Sequence, residues 1–140
     1  MACTGLRDRG LDSLGPLPPN ARVAGYISNG VLLPKVSVVV TNGGFQGVQA
    51  ALRHGITMVT GRESEDKPEV SARLPLTGAS IDLATAIPEP SAILSAVRRV
   101  LEGQSLRISA AALAQEGAAA GGAHEAVDAI EVVYSTCQSS

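Results

Sequence analysis

The stretch from Val36 to Thr60 constrains this chain more than any other. Val36-Ser37-Val38-Val39-Val40 reads as a strand apolar on both faces, the pattern of a central parallel strand. Thr41-Asn42-Gly43-Gly44 follows as a turn, then a short helix with Phe45, Val48 and Leu52 on one stripe. His54-Gly55 reads as its C-terminal cap, and Ile56-Thr57-Met58-Val59-Thr60 as a second buried strand. The glycine pair at the strand-to-helix junction adds a chemical reading. N–H groups in the first turn of a helix have no partner inside it, and together with the helix dipole they attract phosphate. Glycine lets the backbone approach such an anion closely. A nucleotide-type ligand and a tight turn that binds nothing both fit these residues.

Composition narrows the setting. At 140 residues the chain is long enough for one domain with a real core. The net charge of −2, without a long basic run, argues against nucleic-acid binding. Cys3 and Cys137 stand near opposite ends, which is neither a disulfide framework nor a metal spacing, and reads as free thiols in a reducing compartment. A cytoplasmic location is therefore expected. No apolar run reaches the roughly 20 residues of a membrane span. Residues 1–20 carry Arg7, Asp8, Arg9 and Asp12 and lack the apolar core of a signal peptide. Aromatics make up only 2 % of the chain, so the core is packed by small aliphatic side chains, as in tightly layered α/β structure.

The remaining elements follow the same alternation. Gly15-Pro16-Leu17-Pro18-Pro19 lies in a loop, a short strand is expected over Arg22–Ile27, and a brief helical turn over Asn29–Leu33 before Pro34. After Thr60 comes a charged loop, Gly61–Lys67. Pro68 is placed to open a helix ending near Leu74-Pro75, and Ala79–Leu83 reads as a small strand. Pro88-Glu89-Pro90-Ser91 opens a helix expected to carry Ile93, Leu94, Val97, Val100 and Leu101 inward. An alanine-rich helical region follows, broken at Gly121-Gly122, and its last piece has Val127, Ile130 and Val133 on one face. Strands alternating with helices predict an α/β fold, a mostly parallel sheet with helices on both faces. Residues 1–20 are expected to form an N-terminal segment and Pro/Gly-rich loop, read as the remnant of a truncated strand, and residues 21–140 the domain proper.

Thr41-Asn42-Gly43-Gly44-Phe45, Ala51-Leu52-Arg53-His54-Gly55 and Glu65-Asp66-Lys67-Pro68-Glu69 occur in order, in matching strand and helix context. Over about residues 20–134 the chain resembles the nucleotide-sugar-binding C-terminal domain of GT-B glycosyltransferases. The nearest likeness is to UDP-glycosyltransferase-like enzymes of bacteria and fungi that act on macrolides, sterols and other small lipophilic acceptors. The resemblance implies that residues 21–140 are a nucleotide-sugar-binding domain, Rossmann-like and half of a GT-B fold. It implies transfer of a hexose from a nucleoside-diphosphate sugar, UDP-sugar foremost, to a small-molecule hydroxyl, with no cofactor and no metal. By position it assigns Thr41, Asn42, Gly43, Gly44, Phe45, Gln46 and Gly47 to the donor diphosphate. Tyr26 takes the place that stacks on the nucleobase, with Ile27 and Ser28 at the base edge. Glu65, Asp66 and Lys67 fall at the sugar.

The chain departs from the family pattern at several positions. Asn42 stands where histidine is frequent, Ala50 where a glutamate binds the ribose hydroxyls, Lys67 where a glutamine follows the acidic residue, and Thr57 where proline is common. Pro75 falls at an apolar helix position. The resemblance further implies an acceptor-binding domain, missing here or separate, that supplies the catalytic base, so no catalytic residue is assigned. A strand central to the family sheet also finds no counterpart. Either residues 1–10 or a second chain is expected to fill its place, or the fragment is expected to be only marginally stable, and the partner expected is a copy of the chain or an acceptor domain. The rival expectation is a non-catalytic nucleotide-sugar-binding or structural remnant working by association. His54 reads as a helix-end residue, His124 as solvated, and Arg98-Arg99 as a solvated face. Ala110–Ala120 reads as a helix packed closely against the sheet rather than a partner-binding one.

Overall fold

The computed structural model describes residues 15–61, 74–120 and 122–138. It divides into two compact units, Met1–Val36 and Ser37–Ser140. The first holds a single helical turn, α1 (Asn29–Leu32), continued by a 3-10 turn over Leu33–Lys35 with Pro34 inside it. Arg22–Ile27 is not a strand. The Arg22 guanidinium donates to the carbonyls of Pro19 (3.1 Å) and Ala21 (2.9 Å), bonds local to the preceding turn.

The second unit runs β1 (Val38–Thr41), α2 (Phe45–Arg53), β2 (Thr57–Thr60), β3 (Ser80–Asp82), α3 (Pro90–Glu102), α4 (Gln104–Ala119) and α5 (Gly122–Gln138). Among the described residues the three strands form one parallel sheet in the order β1-β2-β3, with Val38 opposite Thr57 and Val59 opposite Ile81. The parallel α/β architecture is the expected one. The position of β1 among the described residues is not: there β2 is the central strand, buried along its whole length, while β1 has a strand on one side only and Val40 is 51 % exposed. A run apolar on both faces reports burial of the faces and carries no count of neighbouring strands.

The core is built from small residues. Val59, on β2, packs with Ala96 and Val100 of α3, flanked by Val38, Ile81, Leu83, Val97 and Leu106. Met58 points to the opposite face of the sheet and is fully buried as well, so helices cover both sides of β2. The crossover helix α2 packs against β1 and β2. Its inward residues are Val48 and Ala51, whereas Phe45 stays half exposed. Along α3, Ala96 and Val100 are buried, and Leu94 and Leu101 lie outward, against expectation. The 3.6-residue repeat turns the buried stripe toward the small Ala96 and carries the larger leucines past its edges.

The α2 terminus follows from His54-Gly55. Gly55 has φ +63°, and its N–H donates to the Leu52 carbonyl (3.0 Å) while that of Ile56 reaches Ala51 (3.0 Å). This is the Schellman arrangement, and it feeds the chain into β2. The alanine-rich α4 packs closely on this corner: Ala111 Cα and Ala114 Cβ come within 3.5 Å of where a side chain on Gly55 would begin. The expected apolar stripe of α5 is present, but Val127, Ile130, Val132, Val133 and Tyr134 are all exposed. Among the described residues no helix is long and apolar enough to cross a membrane.

Candidate functional site

In a parallel sheet flanked by helices, ligands collect at the carboxyl ends of the strands. Three loops meet that edge here. The one after β1 is the most distinctive. Thr41 ends the strand with its carbonyl accepting from the Gly61 N–H (2.9 Å), which ties the end of β1 to the end of β2. Gly43 turns the chain at φ +83°, a conformation glycine adopts without the strain of a Cβ. Its N–H donates to the Thr41 side-chain oxygen (3.3 Å). Gly44 is the N-cap of α2 and supplies no side-chain cap, and the Val48 N–H closes the first turn onto its carbonyl (3.0 Å).

The N–H groups of Phe45, Gln46 and Gly47 precede any intrahelical acceptor, so they end the helix as donors aimed out of it. No acidic residue stands in this first turn, and Arg53 sits in the last, so the dipole is uncompensated where an anion would approach. Gly44 and Gly47 leave this surface bare. Among the described residues, a Cβ on Gly44 would find nothing nearer than Asn42 Oδ1 at 3.7 Å, and one on Gly47 nothing nearer than Thr41 Oγ1 at 3.9 Å. Neither backbone is in the left-handed region. The packing of the described residues therefore does not require glycine at either position.

The structure brings Thr41, Asn42, Gly43, Gly44, Phe45, Gln46 and Gly47 into one turn, with Asn42, Gly44, Phe45 and Gln46 exposed. Tyr26, Ile27 and Ser28 belong to the unit Met1–Val36. There Tyr26 is 86 % exposed, and the Ser28 carbonyl accepts the N–H groups of Val31 and Leu32 as α1 begins. Glu65, Asp66 and Lys67, and the helix expected from Pro68, lie outside the described residues. Pro75 opens a 3-10 turn, Pro75–Thr77. Ala50 is half-buried on α2 and offers no polar group. Thr57 uses its hydroxyl internally, donating to the Ser37 carbonyl at 3.5 Å. His54 caps α2 at the end remote from the turn, about 13 Å away along a nine-residue helix.

The third loop at this edge, Leu83–Pro88, escaped sequence reasoning. The Asp82 carboxylate accepts the Ala84 N–H (2.9 Å) and holds Ala84 at φ +55°, and Thr85 Oγ1 accepts the Ile87 N–H (3.3 Å). Gly61 lets this loop come close, because a Cβ there would lie 3.1 Å from the Thr85 carbonyl oxygen. Asp82 two residues before Ala84 was the readable signal, as a short acidic side chain that can hold the backbone two residues on.

A parallel α/β unit with a bare, uncapped glycine-rich helix start matches a defined family. The model of the Erythromycin biosynthesis protein CIII-like C-terminal domain matches residues 4–133. The chain belongs to this family. Its members are C-terminal, donor-binding domains of GT-B glycosyltransferases. Within it, the chain is 42 % identical over 118 residues to 4'-demethylrebeccamycin synthase of Lentzea aerocolonigenes, covering 84 % of the chain and 28 % of that protein. It is 41 % identical over 85 residues to UDP-glucosyltransferase A1 of Starmerella bombicola, covering 61 % and 18 %. The solved glycotransferase of kitacinnamycin superposes with a TM-score of 0.76 at 30 % identity, covering 84 % of the chain and 31 % of that structure. The chain thus spans less than a third of each of these three proteins.

Proposed function

We propose that the turn Thr41–Gly47 holds the diphosphate of a nucleoside-diphosphate sugar, UDP-sugar foremost, and that the chain serves as the donor half of a hexosyltransferase acting on a small lipophilic hydroxyl. The observation that carries this reading is the pair Gly44 and Gly47, bare where neither backbone conformation nor neighbouring atoms call for glycine. A diphosphate fills that space and takes the N–H groups of the first turn of α2. As the bond from sugar to diphosphate breaks, charge grows on the leaving phosphate. The same N–H groups and the helix dipole stabilise it without reorganising.

In this reading Tyr26 stacks on the base with Ile27 and Ser28 at its edge, and Glu65, Asp66 and Lys67 hold the sugar. Residues 21–140 act as the nucleotide-sugar-binding domain. The base that deprotonates the acceptor comes from an acceptor-binding domain, in a longer chain or on a separate partner, because His54 stands at the wrong end of α2. The relatives' greater length supports this. The compartment is the reducing cytoplasm, in keeping with the exposed free thiol of Cys137.

The test is Gly44→Val. The fold leaves room for the new Cβ, so the variant is expected to keep the wild-type unfolding midpoint and to lose UDP binding by calorimetry. Wild-type amides 41–48 are expected to shift on saturation with UDP. An unshifted spectrum across those residues refutes the assignment.

A further inference from the structure

The turn Thr41–Gly47 has a division of labour. Gly43 presents its N–H inward, to Thr41 Oγ1 at 3.3 Å. An oxygen that accepts this proton is left to donate its own, and the hydrogen bond it makes is to Asn42 Oδ1, at the long distance of 3.5 Å. The same oxygen lies beside the first turn of α2, 3.9 Å from the position a Cβ on Gly47 would take. The Thr41 carbonyl is fixed separately by the Gly61 N–H. One half-buried hydroxyl, anchored to the end of β1, therefore touches the left-handed Gly43 and the Asn42 amide and borders Gly47.

We infer that Thr41 is a positioning residue of the donor site: its hydroxyl holds Gly43 in the left-handed turn and sets the Asn42 amide, while the anion is received by Gly44, Phe45, Gln46 and Gly47. This inference rests on the donor reading above and deepens it. Without the hydroxyl, Gly43 is free to sample other conformations, and the approach of the chain to α2 is no longer preset. The diphosphate must then order the turn as it binds. The base and ribose of the ligand make no use of this hydroxyl, so a nucleoside is indifferent to it.

Thr41→Val is nearly isosteric and extends a run of valines, so β1 is kept. Thr41→Ser restores the hydroxyl. The full chain, as wild type and as both variants, is titrated with UDP and with uridine, and Gly43 amide hydrogen exchange is followed by NMR. Loss of one such hydrogen bond is expected to weaken UDP binding about fivefold in Thr41→Val. Uridine binding is expected to stay unchanged, Gly43 exchange to accelerate, and Thr41→Ser to recover wild-type behaviour in each measurement. Unchanged UDP affinity in Thr41→Val overturns the inference, as does an equal loss for uridine or a failure of serine to rescue. If the wild-type chain takes no UDP, the donor reading falls. Gly43 exchange then decides the positioning role by itself: acceleration in valine reversed by serine upholds it, and identical exchange in all three removes it.

Discussion

Gly47 is a residue at which stability and binding pull in opposite directions. It lies in the first turn of α2, where alanine is the better helix former by about 0.5–1 kcal/mol. Among the described residues a methyl there would meet Thr41 Oγ1 alone, at an ordinary contact distance of 3.9 Å. Gly47→Ala is therefore expected to raise the stability of the chain by about that amount in urea unfolding and to weaken UDP binding in calorimetry. A substitution that raises both, or lowers both, would mean that the space over α2 is not where the ligand sits. Gly43 is the contrasting case in the same turn: its φ of +83° makes any side chain a backbone problem, so its replacement would not separate binding from folding.

At the scale of elements, the α2–β2 corner on which α4 docks turns on Gly55. Its φ of +63° calls for glycine, whereas a Cβ there would meet Ala110, Ala111 and Ala114 only at ordinary contact distances of 3.5–3.6 Å. Gly55→Ala is expected to cost about 1–2 kcal/mol from the left-handed backbone alone, read as a lowered urea midpoint. A loss smaller than that would show that the Schellman turn can relax without disturbing α4. The same corner shows what a sequence pattern conveys and what it does not. Gly after His54 reads correctly as a helix stop, because the cap is a local event. The alanine run reads only in part: Ala110 is buried and Ala111 and Ala114 face Gly55, but residues 115–120 are exposed, because the helix runs on past the corner it docks on.

For the whole molecule, exposed apolar surface is the main liability. β1 presents Val40 at the sheet edge among the described residues, Phe45 is half exposed, and α5 turns Ile130, Val133 and Tyr134 outward. Exposed strand edges and contiguous apolar faces favour association. The chain by itself is accordingly expected to sediment with a mass that rises with concentration, through self-pairing or through a partner that contributes the acceptor site. A single monomeric species across a wide concentration range, with protected amides in β1, would show that the edge is closed within one chain.

The sequence by itself determined what is local. Val38–Val40 and Ile56–Thr60 as strands, the helix between them, its glycine stop, and the uncapped glycine-rich start of α2 all follow from side-chain type and spacing over a few residues. The family likeness rested on the same local motifs. Arg22–Ile27 failed as a strand because a strand forms only against a neighbouring strand, which local residue type does not encode. β1 as an edge, the outward leucines of α3 and the bare stripe of α5 were equally out of reach, since each depends on what lies across space from it. So did the role of Thr41, whose hydroxyl looks like any other at the end of a strand. Only the folded turn, which brings it against Gly43 and beside Gly47, makes it the hydroxyl on which the geometry of the turn depends.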